Sequence, residues 1–330
     1  MTPGEEMETG ASPVAMPSAV DQRFAEAVQL HRQGQWAAAE AVYQEILAAS
    51  PHHTESASNL AILASVRGEA KTALRLLCGC IDVEPERAEH FVILADVLRR
   101  SGRLTEAVTV YRHAIACRAD IPEAHNNLGV TLKSLGRLED AVASYWQAIQ
   151  LRPSYADAYN NLGTAFRKQG RAADAVIMFR QAITLRPPFA QAFNNLGNAL
   201  GELARWAESE AALTRAVQIA PDYAEAWLNL GNTLQAQDKN EQAVLAYQRA
   251  LVARPDYAEA FNNLGVVLKR LGRPSDAMSA YMTAVDLRPT LDAAEVNLQR
   301  AAMARAGRQG EAGATPSPPL LLVGGADPIL

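Results

Sequence analysis

Between Ala156 and Phe189 the apolar residues keep helical spacing. Tyr159, Leu162, Gly163 and Phe166 fall on one stripe at 100° per residue, with polar residues on the opposite side. Gly170 follows as a left-handed helix stop. A second stripe runs through Ala175, Phe179 and Ala182, and Pro187 ends it. The pattern predicts two antiparallel helices joined by short turns, with no strand. Its small residues let helices approach closely, and its aromatics fill the spaces left between them.

The same pattern returns every 34 residues. AHNNLG, AYNNLG, AFNNLG, AWLNLG and AFNNLG start at Ala124, Ala158, Ala192, Ala226 and Ala260. A fixed period of this length marks a repeat architecture, in which each hairpin buries its face against its neighbours. Without insertion the period covers repeats at 20–53, 54–87, 88–121, 122–155, 156–189, 190–223, 224–257 and 258–291, and a capping half-repeat at 292–308. Positions 1 to 34 are counted from the first residue of each repeat. Position 15 is glycine at Gly34, Gly68, Gly102, Gly136, Gly170 and Gly272, with Ala204 and Asp238 as the exceptions. Position 32 is proline except in the third repeat, which has Ala119. Glu295 and Gln299 give the half-repeat the polar outer face that a terminal helix needs. Residues 1–19 and 309–330 are rich in Gly, Pro and Ser and read as a disordered head and tail.

These spacings resemble the tetratricopeptide repeat (TPR), whose signature is aromatic-x2-Leu-Gly-x2-aromatic, then Ala-x3-aromatic, then Pro. In the seventh repeat Trp227, Leu230, Gly231, Ala243, Tyr247 and Pro255 match it, with Leu234 in place of the second aromatic. Repeats 1 and 2 match least well, with Arg23 and Ala57 at position 4. The resemblance covers residues 20 to about 308. It implies an all-α fold: a right-handed α-solenoid, or superhelix, of about eight helix-turn-helix repeats plus a capping helix. It also implies an interaction scaffold rather than an enzyme.

Asparagine marks the other face of the first helix. Positions 2, 6, 9 and 13 lie within about 60° of one another, opposite the core stripe, and TPR architecture puts that side on the inside of the superhelix. Position 6 holds Asn59, Asn127, Asn161, Asn195, Asn229, Asn263 and Asn297, and position 5 adds Asn126, Asn160, Asn194 and Asn262. Asparagine is about 0.6 kcal/mol worse than alanine inside a helix, so the repetition calls for a reason. An amide both donates and accepts hydrogen bonds, so a ladder of amides on the concave surface can hold the backbone of an extended peptide. The ladder resembles that of the TPR half of O-GlcNAc transferases. The plainer reading is a generic solvated face left by duplication. On the groove reading, changing Asn161, Asn195, Asn229 and Asn263 to alanine leaves folding intact or slightly more stable.

Two charged stripes flank the amides. Position 2 is acidic or amide at Glu55, Glu89, Glu123, Asp157, Gln191, Glu225 and Glu259. Positions 12 and 13 supply Arg99, Arg100, Lys133, Arg167, Lys168, Lys269 and Arg270. They read either as a polarised groove or as acids and bases complementing each helix dipole. The TPR type that clamps chaperone C-termini needs a base at position 5 or 6, and no repeat after the first has one.

Charge narrows the partners. Five of the 36 acids and none of the 31 bases lie in head and tail, so the array carries 31 of each sign. A net-neutral solenoid argues against nucleic acid. No apolar run approaches the roughly 20 residues of a membrane helix, and no signal peptide is evident. Three cysteines give no disulfide framework, so the expected setting is cytoplasmic. The six histidines occupy unrelated repeat positions, the His52–His53 pair reads as a solvated turn, and Cys80 reads as core. No metal, cofactor or catalytic constellation emerges, and the expected partner is a protein or peptide. The tail PPLLLVGGADPIL, Pro318 to Leu330, reads as a loose or docking segment, or as the first strand of an α/β domain that then stops. The latter fits an alternative reading: the substrate-recognition part of an O-GlcNAc transferase-like system whose catalytic domain is absent or on another chain.

Overall fold

Each repeat divides at its position-15 turn, where the chain must take a left-handed residue to reverse direction. Gly170 does so at φ +75°; its amide bonds Arg167 O at 3.0 Å, and the Arg171 amide bonds Phe166 O at 2.9 Å. The computed structural model describes residues 18–309, all helix or turn, with no strand among the described residues. First helices occupy positions 1–13 and second helices positions 17–30 in every repeat from the second to the eighth.

The chain forms two compact units, Met1–Gly136 and Arg137–Leu330. The first holds α1 (Ala19–Arg32), α2 (Trp36–Ala49), α3 (Thr54–Val66), α4 (Ala70–Val83), α5 (Ala88–Arg100), α6 (Leu104–Cys117) and α7 (Pro122–Ser134). The second holds α8 (Leu138–Leu151), α9 (Ala156–Lys168), α10 (Ala172–Leu185), α11 (Ala190–Glu202), α12 (Trp206–Ile219), α13 (Ala224–Ala236), α14 (Asn240–Ala253), α15 (Ala258–Arg270), α16 (Pro274–Leu287) and α17 (Asp292–Gln309). The expected disordered head and tail fall mostly outside the described residues. Of them, Ser18 is described and caps α1 in a box with Asp21, Ala19 opens that helix, and Gln309 ends α17.

Within each unit, helices pack as successive hairpins, each second helix also touching the next first helix. In the second unit α9, α11, α13, α15 and α17 touch in turn and form one layer. That layer carries Asn160, Asn161, Asn194, Asn195, Asn229, Asn262, Asn263 and Asn297, while Asn59, Asn126 and Asn127 lie in the first unit. The hairpin closes at position 8: a Cβ added to Gly231 would sit 2.4 Å from Tyr247 Cε1, and one on Gly197 2.4 Å from Leu213 Cγ. Tyr247 and Leu213 are fully buried. In the first unit Ala27, Ala61 and Ala95 take this position against Tyr43, Leu77 and Tyr111.

Two turns keep the left-handed geometry without glycine, at Ala204 (φ 56°) and Asp238 (φ 58°). Their amides make the usual bonds, to Gly201 O at 2.9 Å and Gln235 O at 3.1 Å. For alanine this conformation costs about 1–2 kcal/mol. On α17, Glu295 and Gln299 are exposed and bonded to each other at 3.1 Å. No helix among the described residues is long and apolar enough to cross a membrane.

Two glycine substitutions should therefore act with opposite sign. Ala204→Gly is expected to stabilise by about 1 kcal/mol, by relieving the strained turn. Gly231→Ala is expected to destabilise by about 1 kcal/mol, since overpacking at ~1–3 kcal/mol outweighs the gain in helix propensity of ~1 kcal/mol. Thermal melts followed by circular dichroism measure both, and shifts of the same sign would contradict the packing described.

Candidate functional site

Neighbouring residues of a helix point about 100° apart, and this separates positions 5 and 6. Asn59, Asn127, Asn161, Asn195, Asn229, Asn263 and Asn297 at position 6 are half-buried. Asn126, Asn160, Asn194 and Asn262 at position 5 are at most 8% exposed. The two rows therefore do not lie side by side on an open surface, as the sequence suggests; position 5 turns into the contact with the next repeat. There it meets an amide. Asn195 Nδ2 donates to Asn160 Oδ1, Asn229 Nδ2 to Asn194 Oδ1 and Asn297 Nδ2 to Asn262 Oδ1, each at 2.9 Å. Where position 5 is apolar, at Val92 and Leu228, the acceptor moves to position 9. Asn127 Nδ2 then donates to Asp96 Oδ1 at 3.2 Å and Asn263 Nδ2 to Asn232 Oδ1 at 2.9 Å.

These bonds staple one repeat to the next and set the direction of each amide. Position 6 turns its Nδ2 inward, which leaves Oδ1 of Asn195 and Asn229 to the open side. Asn232 is turned the other way. Its Oδ1 takes Asn263 Nδ2 and the Tyr247 hydroxyl, the latter at 2.9 Å, so its Nδ2 faces out. The staples also reverse the sign expected for alanine at position 6. Removing the donor strands a buried acceptor at about 1–3 kcal/mol, more than alanine's helix propensity returns.

Asn232 lines two cavities on the open face of the layer. One, of about 530 Å³, is also lined by Gln235, Asp238, Asn263 and Arg270. The other, of about 400 Å³, is lined by Arg167, Asn198, Gly201, Trp206 and Asn229 among others. Asn198, Trp206, Asn232, Gln235 and Asp238 are absent from the site expected from sequence. Asn198 and Asn232 were within reach of it, since position 9 lies on the same stripe as position 6. Trp206 comes from a second helix, and the first-helix pattern carries no sign of it.

The charged stripes are mostly spoken for. Position-2 acids pair within their own repeat: Glu89 with Arg118 at 2.7 Å, Asp157 with Arg186 at 2.6 Å and Glu259 with Arg288 at 2.8 Å. Arg186 also lies 3.6 Å over the Phe189 ring. In these three repeats the acids brace the turn that ends the hairpin, beyond any effect on the helix dipole. Among the bases, Arg99 bonds Asp96 at 3.3 Å, Arg167 faces Glu202 at 3.5 Å and Arg270 faces Asp238 at 3.9 Å. Lys133 is half-buried, while Arg100, Lys168 and Lys269 are exposed. The exposed pair of Arg270 and Asp238 contributes about 0–1 kcal/mol, whereas Arg99 and Asp96 are half-buried.

In the first unit the staple takes a different form. Ser58 at position 5 meets His90 Nδ1 at 3.0 Å, and His90 Nε2 meets Glu84 Oε2 at 2.8 Å. Glu84 also accepts from Thr54 Oγ1 at 2.6 Å and from Arg87 at 2.9 Å. Serine, histidine and carboxylate stand in the order of a nucleophilic triad, but Ser58 is 6% and His90 2% exposed, so the hydroxyl is closed to a substrate. The network is a buried inter-repeat lock. The Thr54 hydroxyl and the His90 imidazole, with Arg87, lower the Glu84 carboxyl to about 2. His53 Nδ1 accepts from the Ser56 amide at 3.2 Å and caps α3; Cys80 is buried beside Ser58. Among the described residues no cluster of His, Cys, Asp and Glu is arranged to hold a metal.

Family models described as "TPR repeat" match residues 95–136, 131–170 and 231–272, and models described as "Tetratricopeptide repeat" match 22–45, 156–186, 194–235 and 258–291. None of the curated proteins compared matches the chain. Among solved structures it is similar to the APC/C hetero-tetramer Cut9-Hcn1 at 16% identity and TM-score 0.63, over 86% of this chain and 56% of that one. It is also similar to a tetratricopeptide repeat protein from Parabacteroides merdae, at 15% and 0.58, over 76% and 98% of the two chains. Pseudomonas aeruginosa PilF matches at 18% and 0.58, over 67% and 98%. At these identities the likeness is one of fold. The chain spans just over half the length of the first of these structures.

Two outcomes follow for the staples. Asn195→Ala is expected to destabilise by about 1 kcal/mol, the stranded Asn160 acceptor outweighing the gain in propensity; urea unfolding measures it, and a gain would restore the solvated-face reading. Glu84 is lowered in the folded chain from an ordinary 4.5, so its contribution is full above pH 4.5 and is lost as pH falls from there towards 2. The melting temperature of Glu84→Gln should lie below the parent's at neutral pH and converge with it across that window. A gap that persists at pH 2 would show that the carboxylate charge is not what the lock uses.

Proposed function

The chain carries tetratricopeptide repeats, and from that premise we propose that it is a protein-interaction scaffold holding an extended polypeptide segment on the open face of its second unit. The carrying observation is the direction of the amides. Asn195 and Asn229 spend their donors on the preceding repeat and offer carbonyl oxygens outward. Asn232 is held as an acceptor by Tyr247 and Asn263 and offers its NH2 outward. An extended main chain presents N–H and C=O groups at every residue, whatever its side chains. A row of pre-set acceptors and a donor suits such a chain, and pre-setting reduces the cost of ordering on binding. Asn161 extends the row by position, Asn263 is bonded to both Asn232 and Asn262, and Asn160 and Asn194 act beneath the row as supports. Arg167 lines one cavity and Arg270 the other, each facing an acid of the chain, Glu202 and Asp238. The ligand is bound, not transformed.

Peptides selected from a displayed random library on the full chain provide the test. N-methylation of single backbone amides is expected to weaken binding about 2- to 12-fold at the contacting residues, as a net hydrogen bond of ~0.5–1.5 kcal/mol implies. The Asn195→Ala, Asn229→Ala double variant, assayed below its melting transition, should lose about 30-fold and lose sensitivity to those methyl groups. Binding indifferent to N-methylation at every residue would sink the main-chain reading.

A further inference from the structure

Position 12 of the first helix holds His31, Ser65, Arg99, Lys133, Arg167, Gln235 and Lys269, but the sixth repeat has Gly201. Neither backbone nor packing asks for glycine there. Gly201 is not among the residues of positive φ. A Cβ added to it would meet Trp206 Cζ3 at 3.5 Å and Ser209 Oγ at 3.8 Å, which are ordinary contacts. One turn earlier, Gly197 contrasts sharply, since its added Cβ would lie 2.4 Å from Leu213 Cγ. Gly197 closes the hairpin; Gly201 leaves room.

That room is the cavity of about 400 Å³ lined by Gly197, Gly201, Trp206, Arg167, Asn198 and Asn229. Its size falls within the ~300–1,000 Å³ of small-molecule sites. The same repeat carries the strained turn at Ala204, two residues after α11 ends and two before Trp206 opens α12. Non-glycine residues held left-handed concentrate at functional sites. Space, an indole wall and a strained turn thus coincide in the repeat that has glycine at position 12 and alanine at position 15.

We propose that this cavity takes one aromatic side chain of the polypeptide held on the amide row, its ring against Trp206. The proposal rests on the groove reading above and adds to it a sequence-selective position in a row that otherwise recognises main chain. An aromatic ring suits the site because aromatic pairs gain from offset or edge contact beyond simple burial. The Arg167 guanidinium offers a cation to the ring. Glu202 faces Arg167 at 3.5 Å, which disfavours an acidic side chain here.

Displayed random-peptide selections on the full chain and on Gly201→Gln test this. Gln235 holds the same position in the next repeat, so the variant fills the cavity with a residue the fold already accepts. Glutamine is the better helix former, so the melting temperature should stay or rise and unfolding cannot account for lost binding. Peptides selected on the parent should share one Phe, Tyr or Trp position. Gly201→Gln should weaken those peptides at least tenfold, and should leave unchanged the versions with alanine at that position. Trp206→Ala should have the same effect as Gly201→Gln. Selection of arginine at that position, or aromatic peptides indifferent to Gly201→Gln, would overturn the proposal. Peptides that bind without an aromatic preference yet respond to N-methylation would overturn the pocket alone. Failure to select any peptide would overturn the groove reading and the pocket with it.

Discussion

At Gly163, Gly197, Gly231 and Gly265 the backbone of a first helix lies against the position-24 side chain of its partner, closer than any Cβ permits. This contact sets how near the two helices of a repeat come, and the rest of the second unit is arranged around it. Because no side chain intervenes at position 231, the Tyr247 ring lies against α13 and its hydroxyl reaches Asn232 and Gln235 on the open face. A core residue of a second helix thereby orients a surface amide of a first helix.

The asparagines resolve a similar tension. Each is a poor helix former, and a face built only for solubility would gain from alanine. The inter-repeat bonds give the amides a structural return: a buried acceptor at position 5 or a partner at position 9 is satisfied by the position-6 donor of the next repeat. At Asn195 and Asn229 the NH2 braces the preceding repeat, whereas the oxygens of Asn127 and Asn263 accept from Asn126 and Asn262 beside them. The lock of Ser58, His90 and Glu84 shows that the junction can be met with different chemistry in the first unit. What persists is the need to satisfy a polar group buried between repeats.

Repeats that resemble one another build the scaffold, and the places where they differ give it individuality. Gly201, Ala204, Asn232 and Asp238 all depart from the prevailing residue at their positions, and all four lie in or beside the two cavities of the sixth to eighth repeats. Ala204 and Asp238 carry backbone strain that glycine would relieve.

The 34-residue period, the paired helices, the left-handed turn at position 15 and the close contact at position 8 are all written within a single repeat. They are legible because helical geometry converts spacing into a face, and a face into burial. The fate of Asn160 beside Asn161 was not legible in this way. Spacing alone puts both on one open surface, yet one is buried and the other is half-buried, because the stacking of the next repeat falls across position 5 and not position 6. The direction of each amide depends on which atom the neighbouring repeat presents, as the switch from Asn194 to Asn232 as acceptor demonstrates. Ser58, His90 and Glu84 stand at positions 5, 3 and 31 of two repeats and share no spacing that would announce them. The space above Gly201 exists only because Trp206 and Asn229 border it from other helices. Periodicity describes how a repeat meets itself; contacts between unlike positions of successive repeats arise from the offset of the stack, and only the folded chain sets that offset.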